Sequence, residues 1–491
     1  MIKKSLSFLG AIILLVGCSS IKYQSDRSGF DELIGNINSS FDSPNFEHAH
    51  WGAFIKSLDT GEIWYRRNQN KMFMPASNQK IPTTAVALLT LGPDFNFTTD
   101  LYYTGEIVDS ILIGDLVVIG DGDPTFYTRF FKDSKSIFNS WCDTLKSKGI
   151  KEIHGNIIGD DNKFDDQELG EGWSLDYLDD WYAAPIGPLQ LNENYIDLKI
   201  IPSEVGEKAN IKKVLSTEYV QINNELYTTD TGKTRYNFKR PYGTNEITIA
   251  GVIRRDSDTL SISPSIFNPT KYFTAVLKET IIENGIKVIG IYRDCDDIKD
   301  WNFDENNSVL LTSHKSPPLK DIIKVLLKKS QNLYAETMVR ALGYTQKGEG
   351  SFKNGADVIS DSLQFIGIPK NSYNYADGSG LTRYNFISPE ELVKILEYMY
   401  RNKYKNIWLD ALPIAGVDGT LSNRMKRTAA EGNVHAKTGT ISNVRGLSGY
   451  VTTASGEKIV FSFLVNGHLL SASDTEKITD KVLEMIAEFR N

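Results

Sequence analysis

The chain has 491 residues, a net charge of −8, and 41% hydrophobic and 24% charged residues, with no low-complexity tract, which is the composition of an ordinary globular protein. A chain of this length predicts about two to four domains, and no stretch gathers Lys and Arg densely enough to argue for nucleic acid. The six histidines are scattered, without C-x-x-C or H-E-x-x-H spacing, so no metal site and no cofactor is expected.

Lys3 and Lys4 precede the apolar run Leu6 to Val16, and Leu15-Val16-Gly17-Cys18 follows. The run is too short for a span of ~20 residues and reads as a secretory signal over residues 1–17. The L-x-G-C ending resembles the lipobox of bacterial lipoproteins, which implies that Cys18 is lipidated and that 18–28 is a polar tether to a membrane. An ordinary signal peptide with an incidental cysteine is the other reading. Export loses two lysines and no acid, making the mature chain more acidic than −8. With Cys18 lipidated, an even pair of cysteines, Cys142 and Cys295, remains in an oxidising compartment.

From Phe30 the pattern predicts a helix, then a hairpin: Trp51 to Leu58, a turn at Asp59-Thr60-Gly61, and Glu62 to Tyr65. A helix follows, running from Pro75-Ala76-Ser77-Asn78-Gln79-Lys80 through Ile81 to Gly92. From Phe95 short β-type runs dominate, broken by helical stretches at Phe131 to Lys148 and Thr270 to Asn284. The chain is expected to return to helix near Val309-Leu310-Leu311, with helices at Leu319 to Lys329, Leu333 to Leu342, Gly355 to Ile366 and Pro389 to Lys403. Strands at Val434 to Thr440, Leu447 to Thr452 and Lys458 to Val465, and a helix at Asp474 to Phe489, close it. An α/β domain interrupted by a long β-rich insertion accounts for this order.

Ser77 and Lys80 share a face if their segment is helical. A hydroxyl at a helix N-terminus with a neutral lysine one turn below is an acyl-transfer nucleophile with its base; a capping serine beside a surface lysine is the alternative. Pro82 sits awkwardly in that helix, because it donates no hydrogen bond. Ser330-Gln331-Asn332 lies between two helices and Lys437-Thr438-Gly439-Thr440 on a strand. Each is weak alone, as a helix cap or a strand end. Together, in the order S-x-x-K, S-x-N, K-T-G, they form the set associated with penicillin-binding proteins and serine β-lactamases. A lysine–serine–lysine relay moves the nucleophile's proton without a histidine, and a lysine on a strand suits a substrate carboxylate.

The chain resembles the low-molecular-mass class C penicillin-binding proteins, the D-alanyl-D-alanine carboxypeptidase/endopeptidase family S13. The matching stretches are PASNQK at 75–80, GDGDPTF at 120–126, GEGW at 170–173, YAAPIGPLQLNEN at 182–194 and SQNLYAE at 330–336. DGSGLTRYN at 377–385, LPIAGVDGTL at 412–421 and VHAKTGTISNVRGLSGYV at 434–451 complete them. The resemblance implies an α/β (α+β) penicillin-binding, β-lactamase-like transpeptidase domain carrying a β-rich two-domain insertion. Its domains are 29–96 with 309–491, 97–165 with 268–308, and a third, 166–267, nested in the second. It implies a serine DD-peptidase acting on peptidoglycan stem peptides in the bacterial envelope or periplasm, and reacting with β-lactams. Ser77 is then the acylated nucleophile and Lys80 its base, Ser330 and Asn332 assist proton transfer and substrate placement, and Lys437 stands with Thr438 and Gly439 on the carboxylate side of the cleft. Thr438, Gly439 and Thr440 bind substrate, with the backbone N–H groups of Ser77 and Thr440 as oxyanion hole. Asp377, Gly378, Ser379 and Gly380 line the cleft, or form a Gly-rich turn held for its backbone angles. On this layout Cys142 and Cys295 share a domain, so a disulfide between them is an expectation to test. A serine β-lactamase or a non-catalytic wall-binding lipoprotein are the competing readings. No E-x-x-L-N-type stretch supplies the first with a deacylating base, and the intact motif set argues against the second.

Overall fold

The computed structural model describes residues 28–490. The signal, Cys18 and the tether lie outside the described residues, except Ser28, which is already helical instead of part of the tether. No described helix is long and apolar enough to cross a membrane. The chain divides into two compact units, and the division falls between Asn78 and Gln79, inside the S-x-x-K motif.

The first unit comprises residues 28–78, 387–401 and 412–490. Its framework is one antiparallel sheet of five strands in the order His435–Ile441, Val444–Thr452, Lys458–Asn466, His50–Ser57, Ile63–Arg67. The hairpin between the last two turns at Gly61, whose φ of 78° lies in the region glycine enters freely. Alternation along His50–Ser57 sends Trp51, Ala53 and Ile55 to a core shared with Leu33, Ile37 and Phe41 of helix 28–41 and with Val482, Leu483 and Ile486 of helix Ala472–Glu488. Full burial of such side chains contributes about 1.5–3 kcal/mol each. Gly52 points to the opposite face, where helix Pro389–Arg401 packs. A Cβ there would come within 2.9 Å of the Pro389 ring.

The second unit comprises Gln79–Phe386 and Asn402–Ala411. Helices Lys80–Leu91, Leu319–Lys329, Asn332–Lys347 and Phe352–Phe365 pack together in it. A five-stranded sheet runs in the order Tyr292–Asp294, Ile157–Asp160, Leu116–Gly120, Thr98–Thr104, Ser308–Lys315. A small four-stranded sheet and two three-stranded sheets complete the unit; the latter lie within residues 198–262. Helices Ser136–Ser147 and Pro269–Glu283 cover the core, where Phe126, Phe138, Trp141 and Phe273 form edge-on ring contacts.

Three expectations are corrected. Residues 309–311 belong to a strand, because Ser308–Lys315 completes the edge of the five-stranded sheet against Thr98–Thr104. Cys142 and Cys295 are free buried thiols. Cys142 belongs to helix Ser136–Ser147 and faces the core, whereas Cys295 packs with Tyr102, Val117 and Ile158 and donates to Asp161 Oδ1 at 3.1 Å. The motif helix starts late: Ser77 lies in a 3₁₀ turn, Ala76–Gln79, and the α-helix begins at Lys80. That late start accounts for Pro82. As the third helical residue, it stands among the first four positions, whose N–H groups have no acceptor within the helix.

Candidate active site

In the first unit the serine segment is shaped by its backbone. Ala76, fully buried, adopts a left-handed φ of 45° immediately before Ser77. Such a conformation costs a non-glycine residue roughly 1–2 kcal/mol and persists only where surroundings enforce it. The K-T-G strand provides those surroundings. Gly439 and Gly446 are cross-strand partners, and the serine segment lies where their side chains would be. A Cβ on Gly439 would sit 2.6 Å from both Pro75 O and Asn78 Nδ2, and one on Gly446 2.5 Å from Asn78 Nδ2. The glycine of K-T-G is therefore required by close approach. Asn78 is wholly buried there, with neither amide atom hydrogen-bonded. Lys437 shares the Gly439 face of the strand. It is buried, and its Nζ donates to Thr438 O at 2.8 Å. Thr438 Oγ1 donates to Thr420 Oγ1 at 2.7 Å, and Thr440 is exposed.

In the second unit Lys80 opens its helix with its side chain wholly buried. Its Nζ donates to Asn332 Oδ1 at 2.6 Å and to Ser379 O at 2.7 Å. Burial pushes the ammonium down to about 7, against the opposing negative fields of Asp377 and Glu336. A substantial fraction of Lys80 is thus neutral near neutral pH, as a proton acceptor requires. Asn332 is turned toward it by a bond from its Nδ2 to Tyr182 O, 2.7 Å. Ser330 ends helix Leu319–Lys329 in the left-handed conformation, φ 59° and ψ 39°.

The D-G-S-G loop is built around two acids. Asp377 accepts from the backbone N–H of Gly380 (2.7 Å) and Thr382 (2.8 Å), from Asn385 Nδ2 (2.6 Å) and from Trp173 Nε1 (2.9 Å). Glu336 accepts from the N–H of Gly378 (3.1 Å) and Ser379 (2.8 Å). Burial, with Asp377 nearby, pushes the Glu336 carboxyl up. Gly378 lies hard against helix Asn332–Lys347, where a Cβ would meet Ala335 O at 2.9 Å. Gly380 takes a positive φ of 84°. The loop is thus a turn held for its backbone, and it also presents Ser379 O to Lys80.

Within the second unit the fold therefore brings Lys80, Asn332 and the 377–380 loop together, and within the first it brings the Ser77 segment beside Lys437–Thr440. Sequence reasoning overlooked Glu336, although it stands four residues after Asn332 on one helical face, a spacing that identifies it. Trp173 and Asn385 close the GEGW and DGSGLTRYN stretches quoted above, but neither is given a role there. Elsewhere in the second unit Asp161, Asp294, Cys295 and Asp296 place possible ligand atoms within 4.8 Å of one another. Burial and the neighbouring Asp161 push the Cys295 thiol far up, and its Sγ donates to Asp161 Oδ1.

Similarity to known proteins agrees with this geometry. The chain is 29% identical over 487 residues to a D-alanyl-D-alanine carboxypeptidase of an Actinomadura species, covering 97% of this chain and 88% of the relative. The crystal structure of penicillin-binding protein 4 from Haemophilus influenzae superposes with a TM-score of 0.80 at 26% identity, covering 92% of this chain and all of that one. A second structure of that protein, complexed with a β-lactam, gives 0.73 at the same identity over 91% and 98% of the two chains. The model of the D-Ala-D-Ala carboxypeptidase 3 (S13) family matches residues 33–489, and the chain belongs to that family.

Proposed function

We propose that the chain is a serine D-Ala-D-Ala peptidase that cleaves peptidoglycan stem peptides through an acyl-enzyme on Ser77. Serine DD-peptidase activity follows from the family; the residue roles are our assignment. The observation that carries it is Lys80, buried, brought to about 7, and held by two neutral oxygen acceptors. Neutral Lys80 takes the Ser77 proton as Oγ attacks the carbonyl of the penultimate D-Ala. The backbone N–H groups of Ser77 and Thr440 receive the oxyanion. The C–N bond breaks as the proton held by Lys80 is relayed by way of Ser330 and Lys437 to the departing D-Ala amine. Water then attacks the ester carbonyl, and a proton from that water returns to Ser77 Oγ as the shortened peptide leaves. Lys437, Thr438 and Gly439 receive the substrate carboxylate and the extended peptide, and the 377–380 loop lines the cleft. The same chemistry opens a β-lactam ring, in keeping with the β-lactam complex of the Haemophilus influenzae relative.

The proposal places the chain in the bacterial cell envelope, anchored to membrane by lipid on Cys18. It includes the nested layout of 29–96 with 309–491, 97–165 with 268–308, and 166–267. Parallel pairing of 287–288 and 292–294 with 152–153 and 157–160 supports the second domain, and the sheets within 198–262 support the third. Strand Ser308–Lys315 carries the chain from the second domain back to the first while pairing with Thr98–Thr104.

Labelling with a fluorescent penicillin, compared with Ser77→Ala, tests the assignment. Stable labelling of the wild type alone supports it. No wild-type labelling, or equal labelling of Ser77→Ala, overturns it, and rapid loss of label points to a β-lactamase. Digestion of pentapeptides and of cross-linked dimers then separates carboxypeptidase from endopeptidase action.

A further inference from the structure

The segment Tyr182–Asn194 has no role in the chemistry above, yet it grips the S-x-N turn at several points. Tyr182 O accepts from Asn332 Nδ2 at 2.7 Å, and Gln190 Nε2 donates to Thr337 Oγ1 at 2.8 Å. At its end, Asn192, Glu193 and Asn194 take φ values of 52°, 53° and 56°. Three consecutive buried, left-handed, non-glycine residues are strongly disfavoured unless their surroundings fix them. Their side chains do so. Asn192 bonds to Ser134 and Tyr195 O, and Asn194 to Pro185 O and the Leu191 N–H.

The turn aims the Glu193 carboxylate inward with its side chain wholly buried. It accepts from Arg129 (Nε 2.6 Å, Nη2 3.3 Å), Tyr195 OH (2.6 Å), Tyr334 OH (2.9 Å) and Gln331 Nε2. Gln331 is the middle residue of S-x-N. It lies between Ser330, itself left-handed, and Asn332, which holds Lys80. Tyr334, three residues further on, also donates to Pro124 O. The strained turn thus fixes one buried charge whose bonds beyond Arg129 and Tyr195 go to the S-x-N segment.

We propose that Glu193 is a positioning residue for the reaction, acting through Gln331 to hold Ser330 and Asn332, so that the inserted segment is part of the catalytic apparatus. The inference rests on the roles given to Ser330 and Asn332 above. A displacement of about 1 Å in such groups can lower a rate on the order of 100-fold.

The test uses the full chain, with folding checked by circular dichroism. Its readouts are the second-order rate of acylation by fluorescent penicillin and the kcat and KM for a D-Ala-D-Ala peptide. Glu193→Gln and Gln331→Ala should each acylate at least about tenfold more slowly, with the loss in kcat and KM little changed. The double variant should lose no more than either single one, because both remove one connection. Folded single variants that acylate within about twofold of wild type, or losses that multiply in the double variant, overturn the proposal. Should Glu193→Gln fail to fold, Gln331→Ala alone decides by the same thresholds. If wild type labels at Ser77 and the variants match it, this inference alone fails. If wild type does not label, the assignment of Ser77 fails and this inference falls with it.

Discussion

Gly439→Ala isolates the packing of the serine segment from its chemistry, since no proposed reacting atom is removed. The added Cβ would stand 2.6 Å from Pro75 O and 2.6 Å from Asn78 Nδ2, where ordinary carbon contacts begin near 3.5 Å. Pro75 O is backbone and Asn78 is wholly buried, so neither gives way freely. Relief requires the serine segment to shift by most of an ångström, at a stability cost of about 1–3 kcal/mol. A shift of that size at a nucleophile corresponds to roughly 100-fold in rate, or about 2.7 kcal/mol of barrier. Gly446→Ala meets mainly the end of the Asn78 side chain at 2.5 Å and should be milder. Gly35→Ala is the control: it lies on an exposed face of helix 28–41 with nothing within 4 Å. It should raise stability by about 0.5–1 kcal/mol and leave acylation unchanged. Thermal unfolding and stopped-flow acylation by fluorescent penicillin measure both quantities. A folded Gly439→Ala protein that acylates within about twofold of wild type refutes the reasoning.

Other outcomes follow from the second unit. Because the Glu336 charge raises the proton affinity of Lys80, Glu336→Gln should let Lys80 lose its proton at lower pH. The acid limb of the acylation rate then moves to lower pH, and a limb that stays or moves up contradicts the claim. Asp377→Ala leaves four donors without their acceptor. At about 1–3 kcal/mol for each buried orphan, denaturant titration should show a loss of at least about 3 kcal/mol. Cys142 and Cys295 should react with a thiol reagent only on unfolding, and a disulfide-linked peptide in a non-reducing digest would contradict the buried thiols.

Local pattern made much of the fold legible. Helix Leu319–Lys329 matches its expectation because its apolar spacing is regular and Pro318 marks its start. The hairpin at Gly61 and the C-terminal strands were equally readable from alternation and turn residues. What the sequence left hidden depends on long-range placement. Lys80 has its acceptors at residues 332 and 379, and no local pattern announces that its side chain is wholly buried. Asp377 receives Trp173 from a segment far upstream. The two thiols lie far apart in sequence and pack in different clusters of the second unit, so counting cysteines misled. Pro82 was legible as a disturbance, and its resolution, a helix beginning at Lys80, needed the backbone itself. The left-handed Ala76 and Ser330 are ordinary residue types in unusual conformations, which neither composition nor spacing reveals.

In the proposed reaction Lys80, neutral at working pH, activates Ser77. The most direct measurement is the pH dependence of the second-order acylation rate with benzylpenicillin, whose carboxylate stays ionised over the range. The rate should rise with pH and reach half its plateau near the Lys80 value of about 7. A rate that is flat below that pH, or that rises only in the ordinary lysine range near 10.4, would contradict it.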